Sequence, residues 1–209
     1  MEIIGGAVRI EQIREVEVED LLGRETVELD VGAVHEALAG RTVLVTGAGG
    51  TIGSELCRRL AEAKPGAIVL LGRGENRIFR IEEELRASHP DLPVQAIINN
   101  LRDREAVSDI VETIAPRAIY HAAAHKHVHY MERDPAEAVI NNVSASRNLV
   151  LAAEKAGVER FVFISTDKAA DPRGVMGATK RVMELYLRSR PTSPCRFISV
   201  RFGNVIGSE

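Results

Sequence analysis

Short apolar runs alternate with amphipathic segments along most of the chain. Runs of consecutive apolar residues predict buried strands at residues 43–45, 67–71, 94–98, 118–121, 161–165 and 197–201. Apolar residues at helical spacing predict a helix that contains Ile52 and Leu60, and further helices at residues 75–88, 103–114, 135–156 and 175–188. Strands and helices that alternate in this way build a parallel sheet with helices on both faces. The pattern therefore predicts an α/β fold, a Rossmann-like doubly wound parallel sheet.

The first 40 residues do not follow this pattern. Apolar and charged residues alternate at 8–11 and 16–19, and Asp30 is a candidate N-cap for a helix through Leu38 that ends at Gly40. We expect residues 1–40 to be a lead-in segment and residues 41–209 to form one nucleotide-binding domain, because a chain of 209 residues suits a single buried core.

A glycine-rich turn between the first strand and the first long helix is the clearest functional pattern. Gly47 stands where a tight turn needs freedom in φ, a side chain at Gly50 would block a cofactor, and one at Gly53 would push the helix off the strand. Backbone N–H groups and the helix dipole then converge on a pyrophosphate. We therefore predict dinucleotide binding, although a glycine-rich turn that binds nothing is the alternative. The predicted contacts are Gly47, Gly49, Gly50, Thr51, Ile52 and Gly53.

Further candidate cofactor residues follow the second and third strands. An acidic residue after the second strand binds the adenosine ribose hydroxyls, whereas an arginine accommodates the 2′-phosphate of NADP. This chain has Arg73 in the near position and Glu75 slightly later, so the sequence leaves NAD or NADP open. Asn100 and Leu101 are expected to line the adenine pocket, with a plain surface loop as the alternative.

The fourth strand is followed by small residues and then by histidines. Ala122, Ala123 and Ala124 would let the backbone lie flat against a cofactor, or would simply allow a close-packed turn. We expect the histidines to form no metal site, because they have no carboxylate or cysteine at ligand spacing. Lys126 is predicted to be a cation near a phosphorylated substrate or cofactor, and a solvated lysine is the alternative. The histidines are His121, His125, His127 and His129.

Proton-transfer groups are concentrated at the end of the fifth strand. The segment 165–168 places a hydroxyl, a carboxylate and an amine in consecutive positions. Met176 and Lys180 lie four residues apart and so share one face of a helix. Taken alone, core packing would explain Met176 and a surface salt bridge would explain Lys180.

Composition excludes some classes of partner. The net charge of −3 and a pI near 6.1 provide no basic field for nucleic acid. Cys57 and Cys195 have no CxxC spacing, so we expect buried reduced thiols. The chain has no apolar run of membrane-spanning length and no signal-peptide pattern, which predicts a cytoplasmic protein.

Several motifs together resemble the extended short-chain dehydrogenase/reductase superfamily. Within it they look like the CapD-like nucleotide-sugar 4,6-dehydratases of polysaccharide biosynthesis, from about Glu19 to the last residue. Met176 stands where these enzymes usually carry a tyrosine, as in the membrane-associated branch of the dehydratases. The motifs are TGAGGTIG at 46–53, HAAAHKHV at 121–128, NNV at 141–143, STDK at 165–168, VMGATKR at 175–181 and RFGNV at 201–205.

The resemblance implies NAD(P)-dependent dehydration of a UDP-N-acetylglucosamine-type sugar. Lys168 would remove the C5 proton, Asp167 would protonate the departing C6 hydroxyl, and Thr166 would bind the C4 oxygen. Lys180 would hold the nicotinamide ribose, with Met176 in place of the tyrosine. The resemblance also implies cofactor contact by Asn141 and Lys126, and substrate contact by Lys126 and Asn204.

Relatives differ from this chain in ways that keep other functions open. They continue for a further domain-sized segment, so we expect the substrate domain to be largely missing here. Asn100 stands where relatives commonly have aspartate, and His129 and Tyr130 replace a more usual Pro-Leu. Full-length relatives are membrane-tethered, and the resemblance allows a homo-oligomer. The alternatives are a cofactor-binding module without turnover, and a nucleotide-sugar epimerase or reductase.

Overall fold

A computed structural model of the protein describes residues 31–205. The alternating segments at 8–11 and 16–19 and the predicted cap Asp30 lie outside the described residues. Six strands form one sheet in the order β3-β2-β1-β4-β5-β6, and every neighbouring pair is parallel. The strands are β1 (Thr42–Thr46), β2 (Ala67–Gly72), β3 (Val94–Ile98), β4 (Ala118–His121), β5 (Arg160–Thr166) and β6 (Arg196–Phe202). All six predicted strands and the doubly wound arrangement are confirmed.

Most of the predicted helices are also confirmed. Within the described part of the chain, the α-helices are α1 (Val31–Leu38), α2 (Thr51–Glu62), α3 (Glu75–Ser88), α4 (Arg104–Ile114), α5 (Val128–Arg133), α6 (Pro135–Val139), α7 (Ala145–Lys155) and α8 (Val175–Arg188). Gly40 has φ +65° and ends α1 as predicted. Asp103 caps α4 by accepting a hydrogen bond from the Ala106 N–H at 3.1 Å.

The predicted long helix over residues 135–156 is present but not α-helical throughout. The segment consists of α6, a π-helical turn at Ile140–Ser144, and α7. The turn carries Asn142, whose buried side chain bonds to neighbouring segments, and π-turns of this kind often occur at functional sites. Two short elements, α5 and a 3₁₀ turn at Asp167–Ala169, were not predicted.

The hydrophobic core lies on both faces of the sheet. Leu44 packs on one face with residues of α4, α7 and α8, whereas Val43 and Val45 pack on the other face with residues of α1, α2 and α3. This alternation follows from the period of two in a strand, and it explains why the first strand is apolar at every position. Cys57 and Cys195 are free and buried as predicted, and burial raises the pKa of each thiol to about 12. No helix among residues 31–205 is long and apolar enough to cross a membrane.

Candidate active site

The glycine turn lies at the carboxyl end of β1 and is packed closely against its surroundings. Gly47 has φ +70°, and a Cβ there would lie 2.6 Å from the backbone nitrogen of Ala123. A Cβ at Gly53 would lie 2.1 Å from the carbonyl oxygen of Gly47. At Gly50 the nearest protein atom to such a Cβ is 3.2 Å away, again the Gly47 oxygen. Packing therefore requires glycine at 47 and 53, whereas Gly50 is less tightly enclosed by the protein.

The backbone donors of this turn fit a dinucleotide pyrophosphate. Gly50 donates its N–H to the Gly47 carbonyl at 2.9 Å, but within residues 31–205 the N–H groups of Gly49, Thr51 and Ile52 reach no protein acceptor. They stand at the start of α2, where the first N–H groups of a helix have no intrahelical partner and the helix dipole is positive. Three of the six residues predicted at this turn, Gly49, Thr51 and Ile52, therefore present the backbone donors that an anion-binding site requires.

The other residues predicted to contact the adenosine follow the carboxyl ends of β2 and β3. Arg73 and Glu75 are exposed just after β2. Asn100 is exposed, and its side-chain oxygen accepts from the Arg102 N–H at 3.2 Å. Leu101 is buried in the core, and its backbone carbonyl accepts a hydrogen bond from the Asn148 side chain at 3.1 Å.

The structure adds Arg77 to this region. A Cβ at Gly49 would lie 2.7 Å from the Cβ of Arg77, which places the first turn of α3 directly against the glycine turn. The sequence did not single out Arg77, which follows Arg73 by four residues and lies in the first turn of α3.

The alanine run after β4 is a close-packed turn. Ala122 donates its N–H to the Thr46 carbonyl at 3.0 Å, and Ala123 lies against Gly47. The small side chains of this run are thus explained by packing between β1 and β4. Ala124 is half-buried and Lys126 is exposed.

The four histidines of this segment have separate surroundings. His121 is buried between the Thr46 hydroxyl, 2.6 Å from Nδ1, and the Ser146 hydroxyl, 2.8 Å from Nε2. Burial, together with the charge of Lys180, lowers the pKa of His121 to about 3, so the ring is neutral.

The other three histidines lie outside the core. His125 pairs with Glu137 at 2.9 Å. His127 and His129 are exposed, and the His129 ring stacks on Tyr130 at 4.1 Å. In the region that the structure covers, no three His, Cys, Asp or Glu side chains are arranged to hold a metal ion.

The predicted acid, base and hydroxyl meet in the turn that follows β5. Asp167 Oδ1 accepts from the Thr166 hydroxyl at 2.8 Å, and from the N–H and Nζ of Lys168 at 2.8 and 3.1 Å. Lys168 Nζ also lies 3.4 Å from the side-chain oxygen of Asn204. The Thr166 hydroxyl and the Lys168 amine hold the pKa of Asp167 below its usual value. Asp167 and Lys168 are both exposed, so a substrate can reach them.

Lys180 is buried instead of forming a surface salt bridge. Its Nζ donates to the carbonyl oxygen of Ile164 at 2.8 Å and lies 4.5 Å from the centre of the Phe163 ring. Burial lowers its pKa to about 8, and the charge of Glu184 opposes that shift. An amine with this pKa is a mixture of charged and neutral forms in mildly alkaline solution.

Met176 occupies a small apolar cluster beside the site. It is 6% exposed and packs with Met131 and Ala138. Core packing therefore explains Met176. The position that carries tyrosine in typical short-chain dehydrogenases offers no proton-transfer group here.

Asn142 connects the site to the π-helical turn. Its Oδ1 accepts from the His125 N–H at 2.8 Å, while its Nδ2 donates to the His125 carbonyl at 3.1 Å and to the Thr179 hydroxyl at 3.2 Å. The predicted neighbour Asn141 is half-buried and donates to Asn142 Oδ1 at 3.1 Å. The sequence offers two adjacent asparagines, and only the π-turn distinguishes them.

Two further residues missed by the sequence analysis hold the first turn of α8. The Glu132 carboxylate accepts from the Val175 N–H at 2.6 Å. A Cβ at Gly177 would lie 2.6 Å from the Lys168 carbonyl oxygen, so α8 approaches the Asp167–Lys168 turn as closely as glycine allows. No sequence pattern links these pairs, because Glu132 and Val175 are 43 residues apart.

Comparison with known proteins places this geometry among polysaccharide biosynthesis proteins. Residues 43–209 match a family model described as polysaccharide biosynthesis protein. The whole chain is 43% identical to the capsular polysaccharide biosynthesis protein CapD of Staphylococcus aureus and 46% identical to the probable polysaccharide biosynthesis protein EpsC of Bacillus subtilis. The chain spans 35% of the length of each of these two relatives.

Similarity extends to nucleotide-sugar enzymes. Over 81% of the chain, identity is 30% to a UDP-N-acetylglucosamine 4,6-dehydratase (inverting) of Campylobacter jejuni, of which the chain spans 51%. A UDP-glucose-4-epimerase from Stenotrophomonas maltophila, solved with bound NAD and formylated UDP-arabinopyranose, has a TM-score of 0.70 and 26% identity. That likeness covers 77% of this chain and 52% of the epimerase.

Proposed function

The chain belongs to the polysaccharide biosynthesis protein family, and from that premise we propose that residues 41–209 are the cofactor-binding and catalytic part of a nucleotide-sugar 4,6-dehydratase. The observation that carries the proposal is the contact of Thr166, Asp167 and Lys168 at the carboxyl end of β5. Ligands of doubly wound sheets bind at this edge. The similarity to the Campylobacter dehydratase supports the same reaction class.

NAD or NADP, when bound, would supply reversible hydride transfer at C4 and C6 of the sugar. The glycine turn and the start of α2 bind its pyrophosphate, as the free N–H groups and the looser packing around Gly50 support. Lys180 holds the nicotinamide ribose from its buried position under the end of β5.

The side chains of the β5 turn supply the proton transfers. A ketone at C4 makes the C5 proton acidic; Lys168 takes that proton, and Asp167 gives a proton to the C6 oxygen as it leaves as water. Hydride addition at C6 then leaves an enolate, which takes up a proton at C5 to complete the 4-keto product. Asp167 and Lys168 are consecutive residues with their charged atoms 3.1 Å apart, so acid and base can serve adjacent carbons of one sugar. Because Asp167 is the carboxylate of this pair in the free chain, the proposal requires that a proton pass from Lys168 Nζ to Asp167 when the sugar binds, before the C5 proton is removed. The Thr166 hydroxyl, which donates to Asp167 in the free chain, turns to donate to the C4 oxygen when the sugar binds.

An epimerase is a weaker candidate than a dehydratase. Epimerases of nucleotide sugars are among the similar proteins and structures, but inversion at C4 requires no acid for a C6 hydroxyl. The adjacent acid and base at Asp167 and Lys168 therefore favour dehydration. We also propose that the substrate is a UDP-sugar and that the reaction takes place in the cytoplasm.

Deuterium exchange at C5 tests this function. The full chain is incubated with NAD and UDP-N-acetylglucosamine in D₂O, and the product is examined by mass spectrometry for a 4-keto sugar labelled at C5. Lys168→Ala should abolish the label, whereas Lys155→Ala, which removes an exposed lysine paired with Glu112 on distant helices, should leave it unchanged. Binding of NAD without any product would indicate the cofactor-binding module instead.

A further inference from the structure

Glu184 is a buried carboxylate in the middle of α8, one helical turn beyond Lys180. It is 4% exposed, yet it makes four polar contacts. Oε1 accepts from the Ser165 hydroxyl at 2.6 Å and from Nε of Arg201 at 2.9 Å, while Oε2 accepts from Nη2 of Arg201 at 2.6 Å and from Arg181 at 3.5 Å. A buried charge needs such partners, and the bidentate arginine fixes the orientation of the carboxylate as well as its charge.

The two main partners of Glu184 stand side by side in the sheet. Ser165 of β5 and Arg201 of β6 are register partners near the carboxyl ends of their strands. Ser165 directly precedes the Thr166–Lys168 segment, and Arg201 lies three residues before Asn204. Glu184 therefore ties together the two strand ends from which Lys168 and Asn204 approach each other to 3.4 Å.

The carboxylate stays ionised around neutral pH. Arg201 and the Ser165 hydroxyl lower the pKa of Glu184 to about 2. The other charged or titratable groups around it are Arg181 and Lys180 on its own helix, with His121 of β4 facing Lys180 from the sheet. The charge is thus balanced chiefly by Arg201 across the gap between helix and sheet.

We propose that Glu184 is a positioning residue for the dehydration reaction, because it sets the separation between the Asp167–Lys168 turn and Asn204. This inference depends on the proposed function for its chemical meaning. The carboxylate does not touch the reacting atoms; it acts through Ser165 and Arg201.

A second ion pair of the same type serves as a matched control. Arg190 contacts both carboxylate oxygens of Glu154, with Nε 2.6 Å from Oε1, and both side chains are half-buried. Glu154 lies in the last turn of α7 and Arg190 follows α8, so this pair is at the opposite edge of the sheet from the site. Glu154→Gln therefore removes a similar charge with no effect on the β5 and β6 ends.

The kinetic arm of the experiment compares Glu184→Gln with Glu154→Gln in the full chain. Glu184→Gln keeps an oxygen for Ser165 but cannot pair with both nitrogens of Arg201, so kcat should fall about 10- to 100-fold, the scale expected for a misplacement of about 1 Å. The NAD dissociation constant should change less than about threefold, since no residue proposed to contact the cofactor is altered. An equal fall in kcat for Glu154→Gln would overturn the inference.

A double variant separates positioning from stability. Glu184→Met combined with Arg201→Met replaces the ion pair by apolar side chains, which commonly restores stability. The melting temperature should recover while kcat stays low. Recovery of kcat together with the melting temperature would mean that Glu184 is only structural.

Hydrogen–deuterium exchange decides the question even if the wild-type chain forms no product. Peptides covering residues 165–169 and 199–205 should exchange faster in Glu184→Gln and at the wild-type rate in Glu154→Gln. Unchanged exchange in both segments would overturn the inference. Absence of product from the wild-type chain, with the exchange result intact, would count against the dehydratase proposal alone.

Discussion

The Nζ atom of Lys180 donates a hydrogen bond to the carbonyl oxygen of Ile164 at 2.8 Å, inside the protein at the end of β5. This bond joins α8 to the strand that carries the proposed acid and base. It also leaves an amine in a place where its charge is poorly solvated, and this has a measurable consequence for stability.

Lys180→Met should remove the contribution of the Lys180 amine to the pH dependence of the free energy of unfolding. The pKa of Lys180 falls from 10.5 to about 8 on folding, because burial disfavours the charged amine. Between these pH values the unfolded chain binds more protons, so the wild type should gain stability relative to Lys180→Met as pH rises. Urea unfolding of both proteins near pH 7 and near pH 10 measures the difference, and a constant difference would contradict the prediction.

The buried His121 should make the protein sensitive to acid. Its pKa is 6.5 in the unfolded chain and about 3 in the folded one, so the unfolded chain takes up the proton first as pH falls. The stability of the wild type should therefore drop between pH 6.5 and pH 3, and His121→Gln should lack this component. Glutamine keeps a donor and an acceptor for Thr46 and Ser146. Guanidinium unfolding near pH 7 and near pH 5 compares the two proteins, and parallel losses would show that His121 is not responsible.

Alanine at Gly50 and at Gly53 should have different effects. The Cβ at Gly53 would lie 2.1 Å from the Gly47 oxygen, so α2 must shift and we expect a loss of about 1–3 kcal/mol of stability, as for overpacking in a core. At Gly50 the nearest atom is 3.2 Å away, so the fold should survive while NAD binding weakens. Thermal unfolding and calorimetric titration with NAD give both quantities. Normal NAD binding by a well-folded Gly50→Ala protein would exclude this turn as the pyrophosphate site.

Glu132 should act as an N-cap for α8 from outside the helix. Gly174 at the cap position has no side chain of its own, and the Glu132 carboxylate accepts from the Val175 N–H at 2.6 Å. Glu132→Ala should cost about 0.5–2 kcal/mol, the usual value of a lost cap, and Glu132→Gln should recover most of it. Chemical unfolding provides the energies.

The neighbouring Arg133→Ala is the control for this cap, because it alters an exposed side chain of the same short helix and leaves the Glu132 carboxylate in place. Equal costs for Glu132→Ala and Arg133→Ala would argue against a capping role.

Part of the candidate active site could be predicted from local patterns in the sequence. The glycine turn, the strand before it and α2 obey rules that operate over a few residues, and Gly47 has the positive φ that its position in the turn required. The grouping of Thr166, Asp167 and Lys168 also needed only their adjacency at a strand end. These residues lie together because the chain itself connects them.

Other parts of the site depend on contacts between distant segments. Lys180 has the same helical spacing from Met176 whether its amine points to solvent or to Ile164, so burial was not predictable from the spacing. Asn141 and Asn142 are equivalent as a sequence pair, and only the π-turn buries one of them.

By itself the sequence determined the six strands and the long helices, where most of them end, and which residues stand at the carboxyl ends of the strands. Hydrophobic periodicity and glycine conformation act locally, so they can be recognised without coordinates. The tertiary structure alone decided that Thr46 meets His121 across 75 residues, and that Glu184 joins Ser165 to Arg201. Those pairings arise because a buried polar group must find its partner within the packed interior, and packing brings together residues that the chain keeps apart.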